Sequence, residues 1–83
     1  MQIVMEIPDK VALAERMNPT ELVRELKEMA AVKLFELGRL SSGRAAELAG
    51  MSRVAFLLTL ARYNVFPMMA ELDELEAKQH GSD

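Results

Sequence analysis

The chain of 83 residues contains no cysteine and no tryptophan, and only one histidine and one tyrosine. The missing thiols exclude a disulfide framework and a zinc–thiolate site, and they suit a cytoplasmic protein. The single histidine, His80, stands in a C-terminal stretch expected to fray. The serines, threonines and Tyr63 therefore have no base arranged beside them, and no catalytic residue is expected. His80 with Asp83 would make a poor metal site, so neither a metal nor a cofactor is expected. Aromatic residues make up only 5% of the chain although hydrophobic residues make up 51%. The core must then be aliphatic and rich in the seven methionines, with Phe35, Phe56, Phe66 and Tyr63 as its few large fillers. Long apolar runs are missing too: Val54 to Leu58 falls far short of the roughly 20 residues of a membrane span. The first residues lack a basic start followed by an apolar block, so a soluble chain with no membrane contact is expected.

Positive charge is scarce overall, with a net charge of −3, which argues against a general nucleic-acid binder. Its distribution is uneven. The segment Ser41 to Tyr63 carries Arg44, Arg53 and Arg62 against Glu47 and is the only basic part, whereas Asn64 to Asp83 holds Lys78 against five acidic residues.

That basic segment, SSGRAAELAGMSRVAFLLTLARY, has the punctuation of two helices joined by a tight turn. Ser41 or Ser42 can cap the first helix, Gly50 can take the left-handed conformation that ends it, and Ser52 can cap the second. Ala45, Ala46 and Ala49 are small enough for two short helices to cross closely. Upstream, Gln2 to Ile7 alternates Gln2, Val4 and Glu6 with Ile3, Met5 and Ile7 before Pro8, the pattern of a short strand. A lone strand cannot persist in water, so it is expected to pair, either with its own copy in a second subunit or as an extension ordered on the core. Pro8 to Met17 reads as a connector or short helix. Asn18-Pro19-Thr20-Glu21 starts a long helix, with Asn as cap, Pro in the first turn and Glu as in a capping box, and Gly38 ends it. Val23, Leu26, Ala30, Leu34 and Leu37 line one face of this helix, and Ala31, Val32 and Phe35 add apolar surface on the far side. One side belongs to the domain's own core, and the other is a candidate subunit interface. Asn64 can act as a left-handed terminator, Val65 to Met68 looks extended, and Leu72 and Leu75 among acids suggest a short acidic helix. The fold expected is mainly α, a helix-turn-helix core with a short N-terminal β-strand paired across a homodimer. Residues 1–17 form strand and connector, 18–63 the helical domain with its helix-turn-helix at 41–63, and 64–83 an acidic C-terminal segment.

The order strand, long helix, then Ala31-Val32, Phe35, Gly38, Ser41, Ala45-Ala46, Ala49-Gly50, Met51, Ser52 and Phe56 resembles the small prokaryotic helix-turn-helix proteins of uncharacterised protein family 0175, commonly discussed as antitoxin-like. The resemblance spans Ile3 to Val65. It implies a small homodimer encoded near a toxin gene, commonly a nuclease of the PIN type, and binding to its own operator DNA. The chain departs from the family pattern at Ala55, where an acid commonly completes a capping box, and at Asn64, where glycine is frequent. Phe66-Pro67-Met68-Met69 stands in place of a tyrosine-rich extended segment.

Two functional readings compete for the second helix of the motif. In the first, Ser52 and Arg53 contact bases while Ser42 and Arg44 hold phosphates of operator DNA. In the second, the oily face of Val54, Leu58 and Ala61, flanked by Leu57 and Arg62, buries against a toxin or a second subunit. Arg53 alone gives little sequence discrimination, since a good bidentate pair contributes about 1 to 3 kcal/mol, and the oily face is better explained by burial. The acids Glu71, Asp73, Glu74 and Glu76 form a solvated helix face, with mimicry of nucleic acid toward a toxin's basic cleft as the sharper alternative.

Overall fold

A computed structural model of the chain describes residues 1–67; the expected acidic helix, its mimicry and the His80–Asp83 pair lie outside the described residues. The elements are α1 (Asp9–Glu15), α2 (Pro19–Glu36), α3 (Ser42–Ala49) and α4 (Arg53–Thr59), followed by a 3-10 turn at Leu60–Tyr63. Local chemistry sets each boundary. The Asn18 side chain accepts from Glu21 N–H at 2.8 Å while its amide donates to the Glu21 carboxylate at 2.6 Å, and Pro19 occupies the first turn. Gly38 closes α2 at φ 75, with Gly38 N–H donating to Phe35 and Arg39 N–H to Leu34, each at 2.9 Å. This crossed pair of bonds satisfies carbonyls that the last helical turn leaves open. Ser41 and Ser52 cap α3 and α4 by accepting from Arg44 and Ala55 N–H at 3.2 and 3.1 Å. Ala55 thus completes the cap through its backbone, without the acid frequent there. Gly50 and Asn64 both turn left-handed, at φ 74 and 56.

The N-terminal strand is not there. Met1 to Pro8 has no regular structure, no β-strand exists among the described residues, and Ile3, Val4 and Met5 are exposed, Val4 by 95%. Alternation is a property of one segment, whereas a strand is a hydrogen-bonded pairing, and this segment has no ladder partner. The fold is mainly helical without the strand, and α1 itself buries no residue.

The core gathers where α2, α3 and α4 meet, from Ala31, Val32, Ala45, Ala46, Phe56, Leu57, Leu60 and Val65. The alanines on α2 and α3 let the three helices close around Phe56, which is fully buried and meets Phe35 edge to face at 5.7 Å. Of the two apolar faces of α2, the one carrying Ala31, Val32 and Phe35 supplies this core. Val23, Ala30 and Leu37 on the other face are exposed, and Leu26 and Leu34 are half-buried. Phe66, expected as a core filler, is instead 79% exposed. Val65, which follows the left-handed turn at Asn64, is the last of the buried core residues among those described.

Candidate interaction surface

Ser42, Arg44, Ser52 and Arg53, the residues expected to face DNA, come to the start of α3 and the start of α4. Their side chains are occupied within the chain. Ser42 is only 3% exposed, and its Oγ accepts from Arg53 Nε at 2.7 Å, tying the two helix starts together. In this arrangement the Ser42 hydroxyl is turned to Arg53 and covered, not open to solvent. Arg53 is half-buried. Arg44 projects outward but pairs with Glu47 one turn on, at 3.0 Å, on an exposed surface where such a pair is weak. Ser52 is exposed, with its hydroxyl engaged as the α4 cap.

The remaining arginine of the motif is drawn toward α2. Arg62 Nη1 lies 3.8 Å from Glu28 Oε2 and its guanidinium sits 5.9 Å over the Tyr63 ring. The Tyr63 hydroxyl donates to the same Glu28 carboxylate. Burial first, then the hydrogen bond and negative charge of Glu28, push the Tyr63 phenol from 10.0 up to about 12. Glu28 therefore anchors the end of the 3-10 turn to the middle of α2. No spacing in the sequence announces this, because the partners are 35 residues apart. An open groove beside it, lined by Met17, Glu21, Arg24, Glu25, Glu28 and Arg62, mixes both signs of charge. Among the described residues no group of acids and histidine could hold a metal ion.

The oily face of α4 is present but narrower than expected. Leu58 is 54% exposed, Ala61 and Arg62 are exposed and Val54 is half-buried. Leu57 belongs to the core, at 4% exposure, and is not part of the outward face. On so short a helix the buried arc reaches from Phe56 through Leu60 to Leu57, wider than a flank drawn from ideal angles. The outward surface of α4 thus offers aliphatic carbon, with Arg62 at its rim. No described helix is long and apolar enough to cross a membrane.

Comparison with known proteins gives consistent matches. The profile of an Uncharacterised protein family (UPF0175) matches residues 1–79. A UPF0175 protein of Aeropyrum pernix is 36% identical over 75 residues, covering 90% of this chain and 79% of the relative. Another, from Archaeoglobus fulgidus, is 42% identical over 55 residues, covering 66% of this chain and 62% of the relative. No solved structure matches.

Proposed function

The chain belongs to the Uncharacterised protein family (UPF0175), and from that membership we propose that it is a non-enzymatic regulatory module of the cytoplasm that docks a partner protein, in the manner of an antitoxin. The partner proposed is a nuclease-type toxin encoded beside it. The observation that carries this reading is the outward face of α4: Leu58 and Ala61 lie open, Val54 half-open, and the nearest arginines are held by Ser42 and Glu28. An apolar helix face rimmed by charge is the surface an interface core uses. Base recognition requires free donors and acceptors that this face lacks.

Leu58→Glu tests it directly. The residue is exposed in the free chain, so folding by circular dichroism should be unchanged, while affinity for the neighbouring toxin should fall about tenfold or more. Undiminished binding by a folded Leu58→Glu protein would end this reading. A second reading, binding to operator DNA through a helix-turn-helix, is favoured by Ser52 and Arg53 at the start of α4 and by the basic balance of residues 41–63. It predicts measurable affinity for the DNA upstream of its own gene at low salt, falling as salt rises. Affinity too weak to measure at low salt would eliminate it.

A further inference from the structure

We propose that the acids of residues 68–83, which follow the described part of the chain, fold back over the arginines at the starts of α3 and α4, so that this basic surface has its occupant within the same chain. The inference concerns neither the outward face of α4 nor any association between copies, and it holds whether or not DNA is a ligand.

Charge is sorted along the sequence. Residues 1–40 hold six basic and seven acidic residues, so that part exerts little net pull on a distant acid. Residues 41–63 hold three arginines against Glu47. Residues 64–83 hold Lys78 against Glu71, Asp73, Glu74, Glu76 and Asp83. The one net-basic stretch is therefore followed directly by the most acidic one, and fields of opposite sign attract.

The fold then selects which arginines receive these acids. Arg53 is clamped by the 2.7 Å bond from its Nε to Ser42 Oγ, which holds its guanidinium at the joint between the two helix starts. Arg44 follows Ser42 by two residues on α3, and 72% of its side-chain surface is open. Its pairing with Glu47 is exposed on both sides, and such a pair is weak enough to be exchanged for another carboxylate. Arg62, in contrast, is drawn toward Glu28 on α2 and over the Tyr63 ring. The joint of α3 and α4 is thus the target.

The acids are within reach of it. Val65 N–H donates to the Leu60 carbonyl at 3.1 Å, which ties the exit of the chain to the end of α4. The helical rise from Arg53 to Leu60 is only about 10 Å. Glu71 lies four residues beyond Pro67 and Glu76 nine, spans of up to about 13 and 30 Å for an extended backbone. Exposed ion pairs are too weak to hold two separate molecules together, but so short a connection keeps the acids at an effective concentration of about millimolar. Any other polyanion approaching the joint must first displace them, so the segment acts as a built-in competitor against indiscriminate nucleic-acid binding. The contact is sensitive to salt, because the screening length falls from about 10 Å at 0.1 M to about 3 Å at 1 M.

A nitroxide label on the full chain tests this. The chain has no cysteine, so Ala77→Cys carries the label at one place, directly after Glu76. At low salt the backbone amide signals of residues 42–44 and 52–54 should lose most of their intensity, while those of residues 9–15 should keep theirs. Raising salt to about 1 M should restore them. So should Glu71→Gln, Asp73→Asn, Glu74→Gln and Glu76→Gln together under the same label, with helix content by circular dichroism unchanged. Full intensity at 42–44 and 52–54 at low salt would overturn the proposal. A loss that survives both salt and neutralisation would overturn it too, since the contact would then not be one of charge. So would a loss that arises only between a labelled copy and an unlabelled one, because the occupant would then be another molecule.

Discussion

Glu28 shows how much of this small fold rests on single contacts. It is the only described acid that receives a tyrosine hydroxyl, and it also attracts Arg62, so one carboxylate on α2 holds the end of the motif in place. Tyr63→Phe removes the donor and leaves a largely covered carboxylate with only the Arg62 guanidinium 3.8 Å away, at a cost of about 1 kcal/mol or more, which differential denaturation would read. The same pair predicts a pH dependence. The folded phenol titrates at about 12 and the unfolded one at 10.0, so the contribution is complete below pH 10.0 and is lost as pH rises toward about 12. Melting curves of the unaltered protein should therefore drop across that window relative to Tyr63→Phe. Parallel curves would mean that the hydrogen bond is not made in solution. A second contrast at this scale concerns two glycines whose added Cβ would meet nothing within 4 Å. Gly50→Ala forces alanine to φ 74 and should cost about 1 to 2 kcal/mol. Gly43→Ala, inside α3, should stabilise by roughly 0.5 to 1 kcal/mol. Equal effects in thermal melts would show that the left-handed turn between α3 and α4 is not under conformational demand.

At the level of elements, what could be read from the sequence was what is written locally. Asn18, Ser41 and Ser52 stop the chain from continuing extended because their side chains reach a backbone N–H three residues on, and Gly38, Gly50 and Asn64 end helices because they tolerate a left-handed backbone. These signals span a few residues and need no knowledge of the rest of the molecule. The strand expected at Gln2 to Ile7 failed for the complementary reason, since its existence depends on a partner that no pattern within the segment supplies. The two faces of α2 were both apolar, and periodicity could not choose between them; the choice came from Ala45 and Ala46 on α3, which make the Ala31 and Val32 side the one that packs closely. The Ser42 to Arg53 bond escaped the sequence because helix-surface pairs recur at three or four residues, not eleven. It changes the reading of four candidate DNA contacts, two of which now serve the joint between α3 and α4.

Across the whole molecule, the described residues divide into a dense core around Phe56 and an N-terminal third that lacks one. A chain of this size buries a modest fraction of its surface alone, and here even that burial is confined to residues 22–65. The homodimer that the family resemblance implies would use a surface other than the α4 face proposed for a toxin, and the outer side of α2, where Ala30 lies exposed, is such a surface, so that one can be disrupted without the other. Stability should then depend on association, because a partner that binds only the folded form raises the melting temperature by mass action. The most direct measurement is the melting temperature of the full chain across a hundredfold range of protein concentration, beside Ala30→Glu. A midpoint that climbs with concentration in the unaltered protein and stays flat in Ala30→Glu is the outcome expected of a dimer built on α2. A midpoint independent of concentration in both would show that the N-terminal third is held by its own chain, and the two-fold arrangement would be wrong.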